Sequence, residues 1–328
     1  MNMSSLFRTL ACGMAGTVMA LSCGAATAAW PERPIQLVVP FPPGSSPDIL
    51  ARTLAEPLSQ ELGQPVVIDN KPGAGGNIGT RHVAKAKPDG YTLLLTINGP
   101  MVTAPALYKT TLGYEPATDL APVTMVGVSP NVLVVPDSFP AKNLQDFIAQ
   151  AKARPGELNY GSVGPGSSSH LAMAMLEAAA DISLLQVPYA GFPQIITAIV
   201  GGDIHAGFMV PGIAMPQVNA GKVRALGVTS LEPSSLLPGL PPLAQQGFPD
   251  FESISWDAIF VPEGTPEDII QTLNEKLVKI LAQEDVQQKM ATLYFTPQPS
   301  TPDELREIVK AERTRLEALI ERLQLSLD

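Results

Sequence analysis

Four serines and a histidine crowd into one short stretch, Tyr160-Gly161-Ser162-Val163-Gly164-Pro165-Gly166-Ser167-Ser168-Ser169-His170. Two kinds of chemistry suit it. A serine activated by His170 would make a hydrolase with Ser162 to His170 as its working loop, although no serine here has the Gly-x-Ser-x-Gly spacing of a nucleophile elbow. Alternatively, Ser162, Gly166, Ser167, Ser168 and His170 offer hydroxyl and N–H donors to a bound anion, which needs no activated nucleophile. A second stretch, Pro40-Phe41-Pro42-Pro43-Gly44-Ser45-Ser46-Pro47-Asp48, follows an apolar run and precedes a helical pattern. Ser46 is placed to cap that helix, with Pro47 at its first position. A strand end, a tight loop and a helix N-terminus together present free N–H groups and the positive end of the helix dipole. Phe41, Gly44, Ser45, Ser46 and Asp48 therefore read as carboxylate-binding. Arg52 is spaced to pair with Asp48 at i,i+4.

A third stretch, Asn70-Lys71-Pro72-Gly73-Ala74-Gly75-Gly76-Asn77-Ile78-Gly79, has the shape of a phosphate loop without its patterns. Ile78 stands where G-x-G-x-x-G requires glycine, and no Gly-Lys-Ser/Thr follows. These glycines read instead as a strained turn and close backbone packing. Thr96 and Asn98 end another apolar run with polar groups suited to a cleft rim. Asp203 and His205 flank Ile204 before a further run and could stand at a lobe edge. The 3 histidines, His82, His170 and His205, show no metal-ligand spacing, so no metal and no cofactor is expected.

The background to these stretches is a chain of 328 residues, 45% apolar and only 16% charged, which excludes disorder and implies a large core. A net charge of -10 leaves no extended basic footprint, so nucleic acid is not an expected partner and an anion must be held locally. Residues 1–29 read as a secretory signal peptide: Arg8, an uncharged stretch from Thr9 to Leu21, then Ala25-Ala26-Thr27-Ala28-Ala29. Both cysteines, Cys12 and Cys23, lie in it, so the mature chain would have no thiol, and location in the periplasm is expected.

Short β-rich runs recur at 35–39, 66–68, 92–97, 123–128, 131–135, 184–187, 206–210, 225–229 and 256–261, several of them apolar throughout. Helical patterns lie between many of them, at 49–62 (with Pro57 as a kink), 144–153, 171–180 and 194–200. Unalternating strands separated by helices give an α/β reading with parallel-rich sheets flanked by helices. Two helices, 266–282 and 302–323, close the chain, each opened by Thr, Pro and an acid. Proline-rich connections at 116–122 and 238–249 suggest two crossings between lobes. One lobe would comprise 30–122 with 241–328, and the other 123–240.

In this order the three loops resemble the substrate-binding proteins of tripartite tricarboxylate transporters, the Bug family. Similarity carries through Val187-Pro188-Tyr189, Gly201-Gly202, Gly221-Lys222-Val223-Arg224-Ala225-Leu226 and Pro262-Glu263-Gly264-Thr265-Pro266. The resemblance implies a two-lobed periplasmic binding protein fold of type II. It also implies a non-enzymatic receptor that catches a small organic carboxylate between its lobes and delivers it to membrane permease subunits; a monomer is expected. Three departures bear on the pocket: Ser45 replaces a usual glycine, His205 replaces a usual acid, and Ala190 with Phe192 alters the stretch after Tyr189. With Phe192, Met209 and Ile213 nearby, a small or aromatic carboxylate is favoured over an amino acid. Asp48 would be the acid partner of a ligand ammonium.

Overall fold

The computed structural model describes residues 30–328, so the signal-peptide reading of residues 1–29 and both cysteines lie outside the described residues. The first lobe opens with β1 (Ile35–Val39), α1 (Ser46–Leu62), β2 (Val66–Asn70), α2 (Asn77–Ala84) and β3 (Thr92–Ile97). A π turn (Gly99–Thr103), α3 (Ala104–Leu107), α4 (Pro116–Asp119) and the long β4 (Leu120–Pro130) follow. The second lobe holds β5 (Val132–Pro136), α5 (Leu144–Ala153), β6 (Asn159–Ser162), α6 (Ser168–Ala180), β7 (Leu185–Pro188), α7 (Phe192–Gly201), β8 (Gly207–Met209), α8 (Pro211–Asn219) and β9 (Val223–Val228). The chain then returns for β10 (Ile254–Pro262), α9 (Glu267–Leu281), α10 (Glu284–Thr292), β11 (Thr296–Pro297) and α11 (Pro302–Arg322).

The first lobe is a six-stranded sheet in the order β11-β4-β10-β3-β1-β2. Its β2, β1 and β3 are parallel, as βαβ units require, whereas β10 arrives from the other lobe and runs antiparallel to both β3 and β4. Both faces are covered. Ile259 and Val261 of β10 pack with α1, α9 and α10, while Trp256, Ala258 and Phe260 pack beneath α11. That double burial is why the run lacks alternation. In the second lobe β8-β5-β9 is antiparallel and β6-β7 parallel, joined where Tyr160 bridges Ala206 in parallel register.

The expected break after residue 122 falls inside β4, which stays paired to β10 as far as Pro130. The crossings lie instead at Asn131, Thr229 and Ser253, which are bonded to one another. The Asn131 N–H donates to Thr229 Oγ1 at 2.8 Å, its Nδ2 donates to the Ser253 carbonyl at 3.1 Å, and Thr229 Oγ1 donates to that same carbonyl at 2.6 Å.

Helix ends show which local signals carried weight. Thr301 caps α11 in a capping box, accepting from Glu304 N while Glu304 accepts from Thr301 N at 2.8 Å. Thr265 does not cap α9: its hydroxyl donates to the Pro262 carbonyl at 2.7 Å and the helix starts at Glu267. Helix α1 runs unbroken through Pro57, and a third terminal helix, α10, stands where two were expected.

Candidate functional site

Parallel strands fix where a ligand can sit. β1, β2 and β3 point the same way, so the loops after them and the starts of α1, α2 and the π turn gather at one sheet edge. In the other lobe β6 and β7 do the same for α6 and α7. One segment, residues 99–107, bridges the two edges. A methyl group on Gly76 would come within 2.9 Å of both Phe41 and Pro100, and one on Gly166 within 2.5 Å of Leu107. Leu171 of α6 belongs to the apolar cluster of Met101, Val102 and Leu107. The first and third loops thus border opposite ends of one structural element.

The first loop is fastened by ionised groups. Asp48 is 2% exposed, and its Oδ2 accepts from Gly44 N at 2.8 Å and from Arg52 Nε at 3.0 Å. Its Oδ1 accepts from Asn70 Nδ2 at 2.9 Å, and that amide also donates to the Phe41 carbonyl. Burial pushes the Asp48 carboxyl up, but the donors of Arg52, Gly44 and Asn70 outweigh it and hold the group below its ordinary range. Asp48 is therefore a staple for its own loop, and the expected pairing with a ligand ammonium is displaced. The cap also shifts by one residue: Ser45 is at the N-cap of α1, Ser46 is the first helical residue, and the Ser45 hydroxyl donates back to Pro42 O rather than capping. Gly44 supplies the positive φ of the turn, +82°.

The third loop is fastened by neutral groups. Ser167 caps α6, accepting from His170 N at 3.3 Å, and its hydroxyl donates to Gly164 O. Ser169 Oγ accepts from Val163 N, and Ser162 Oγ accepts from Gly164 N and from Gln186 Nε2. His170 Nδ1 accepts from Gly166 N at 2.9 Å while its ring stacks on Tyr160 at 6.5 Å between centroids. Burial lowers its pKa, so the ring is neutral near pH 7. The acceptor nitrogen that a hydrolytic base would turn toward a serine hydroxyl is thus spent on the backbone.

The donors left over are at the helix starts. Among the described residues, the N–H groups of Ser46 and Asp48 at α1, and of Ser168 and Ser169 at α6, find no acceptor. Phe192 begins α7 at the same edge as Ser162, where the Tyr189 N–H donates to Ser162 O at 2.8 Å. Two expected site residues do not join them. Thr96 is fully buried within β3, its Oγ1 unpaired, because it faces Ala258 across the sheet rather than the rim. Asp203 is exposed beside Asn159, the first residue of β6, one strand length from Ser162, since the loop before β8 meets β6 at its start.

Asn98 does reach the lobe boundary, and it shows what sequence reasoning missed. With Ser168, Ser253 and Glu312 it lines a cavity of about 30 Å³ whose walls come from both lobes and from α11. Glu312 Oε1 accepts from Asn98 Nδ2 at 3.2 Å and Oε2 accepts from Trp256 Nε1 at 2.6 Å, while burial pushes its carboxyl up. Glu312 is one charge on a charged helix, so only the fold singles it out. An open groove of about 700 Å³ adjoins this cavity through Met175, Arg315 and Leu316 but includes none of the three loops.

Comparison with known proteins agrees with this architecture. Residues 50–325 match the model of the tripartite tricarboxylate transporter family receptor. BugT of Bordetella pertussis is 36% identical over 315 residues, covering 96% of this chain and 96% of that protein. An adipate-bound protein of R. palustris superposes with a TM-score of 0.79 at 34% identity, covering 91% of this chain and all (100%) of that one. MatC from Rhodopseudomonas palustris, solved with bound malate, gives 0.74 at 32% identity over 88% of this chain and 99% of its own. Two lobes, strand ends that face each other across the π turn, and this similarity along nearly the whole described chain give one conclusion: the protein belongs to the tripartite tricarboxylate transporter family of receptors, the Bug proteins.

Proposed function

We propose that the protein is a periplasmic receptor that captures a small organic carboxylate between its lobes and hands it to the membrane permease of a tripartite tricarboxylate transporter. The observation that carries this reading is the pair of opposed helix starts, α1 and α6, whose N–H groups at Ser46, Asp48, Ser168 and Ser169 lack acceptors among the described residues. Each start contributes about 0.3 to 1 kcal/mol toward an anion through its dipole when exposed, and more when partly buried. Two such ends around one carboxylate select for that charge without an arginine in either loop. Closure follows as a population shift about the crossings at Asn131, Thr229 and Ser253, because the ligand touches both lobes only when they approach. Family membership supports the transporter partner, and the malate and adipate held by the two R. palustris proteins support the ligand class.

Thermal unfolding of the chain from Trp30 onward, against dicarboxylates, tricarboxylates, aromatic carboxylates and simple esters, tests the reading. A native-state ligand at a hundred times its Kd stabilises by about 2.7 kcal/mol, a clear shift in midpoint. A shift with one subset of carboxylates, and no ester turnover, is the expected result; no shift with any carboxylate would overturn it.

A further inference from the structure

The amide of Asn98 has only one direction left to it. Its Nδ2 donates to the Ile254 carbonyl at 3.2 Å and to Glu312 Oε1 at 3.2 Å, which accounts for both of its N–H bonds. The Ile254 carbonyl can only accept, so the amide cannot be turned over without setting oxygen against oxygen. Glu312 is fixed in turn by Trp256, whose indole N–H donates to its other oxygen at 2.6 Å. What Asn98 offers to the cavity it shares with Ser168 is therefore an acceptor, Oδ1, and no donor. An acceptor repels a carboxylate and recognises a hydroxyl or an ammonium.

We propose that Asn98, oriented by Glu312, reads a hydrogen-bond donor carried by the ligand next to the carboxylate held at α6, so that the preferred ligands are hydroxy- or amino-substituted carboxylates. This rests on the carboxylate-receptor reading above and narrows it. The cavity suits the assignment: at about 30 Å³ it has room for a group the size of a hydroxyl or an ammonium. Its other charged wall, Arg315, donates to the Glu252 carbonyl at 3.0 Å from the same helix face. Asn98 would contact the ligand, whereas Glu312 acts through Asn98 as a positioning residue. A site built to pair a polar group discriminates strongly against an analogue that lacks it, because its own buried group is then left unpaired.

The test is calorimetric titration with matched triples: succinate, malate and aspartate; glutarate, 2-hydroxyglutarate and glutamate; phenylacetate, mandelate and phenylglycine. In at least one triple the hydroxy or amino member should bind about 10-fold or more tighter than the unsubstituted acid, and which of the two wins names the donor. Asn98→Ser and Glu312→Gln should each collapse that ratio to about 3-fold or less. The ratio is the readout because a general loss of fold lowers all three affinities together. Glu312→Gln must turn an amide toward either Asn98 or Trp256, so it disturbs the orientation while keeping size. Equal binding of all members in every triple overturns the inference and leaves the receptor standing. No binding by any member also overturns the inference, and the receptor reading falls with it only where the wider carboxylate panel gives no thermal shift.

Discussion

The first and third loops share one grammar, a strand, a glycine at positive φ, a serine at the cap and a helix start, yet they are held by opposite kinds of chemistry. In the first, a buried carboxylate gathers Arg52, Asn70 and Gly44 N, and the cap serine does no capping. In the third, hydroxyls and a neutral imidazole do the fastening, and Ser167 does cap. The difference shows that a shared motif fixes where donors point, while the means of holding them there is free to vary. It also separates the two loops in their response to substitution and to acid.

The largest contrast is between their glycines. Gly166 has φ +73° and a methyl group there would meet the buried Leu107 at 2.5 Å, whereas Gly44 has φ +82° with open space around it. Gly44→Ala should cost only the left-handed strain, about 1–2 kcal/mol. Gly166→Ala adds a clash across the lobes and should cost about 3 kcal/mol or more, together with loss of ligand affinity. Urea unfolding of both variants, read as midpoint at constant slope, decides it. Next comes Asp48→Ala, which strands three donors and should cost about 3 kcal/mol by the same measurement.

The cap serines give a smaller and sharper comparison. Ser167→Ala should cost about 1 kcal/mol, and Ser45→Ala less than about 0.5 kcal/mol, because only Ser167 accepts from its helix. Equal losses would mean that the two loops are held alike. Smallest at neutral pH is the effect of protons. His170 titrates below its usual 6.5, so its contribution is complete above 6.5 and is lost as the unfolded chain takes up protons below that value. Asp48 also titrates below its usual value, 3.8, so the first loop weakens only as pH falls beneath 3.8. Stability measured from pH 7 to 3 should therefore fall first through the third loop, and His170→Gln should flatten that first decline.

Much of this was legible in the residues. β-rich runs coincide with nine of the eleven strands; β1, β3, β5 and β10 are apolar because they are buried, whereas β2 and β7 are partly exposed and are marked by their β-branched residues. β6 escaped because Asn159-Tyr160-Gly161-Ser162 carries its burial in its neighbours, and β11 because two residues leave no pattern. The glycines at 73, 75 and 76 form the turn that their spacing predicts: all have positive φ, and Gly76 admits the Phe41 ring. The side-chain pairs that complete the site were hidden by sequence separation. Asn70 lies 22 residues from Asp48, and Glu312 lies 214 residues from Asn98. No local spacing encodes such a pair: of the side chains that hold Asp48, the i,i+4 partner Arg52 is legible in the sequence and Asn70 is not.

One measurement addresses the central claim, that a carboxylate is held by the opposed starts of α1 and α6, more directly than any other. Ser46 and Ser168 are each the first residue of their helix, where proline is tolerated, and Ser45 and Ser167 before them are already extended, at ψ 159° and 160°. Ser46→Pro and Ser168→Pro therefore each delete a donor N–H while leaving its helix intact. Titration with the carboxylate that gives the largest thermal shift should show each variant binding about 10-fold more weakly and the double variant about 100-fold more weakly, with unliganded stability within about 1 kcal/mol of the parent. Parental affinity in both single variants would contradict the account and move the ligand away from these two helices.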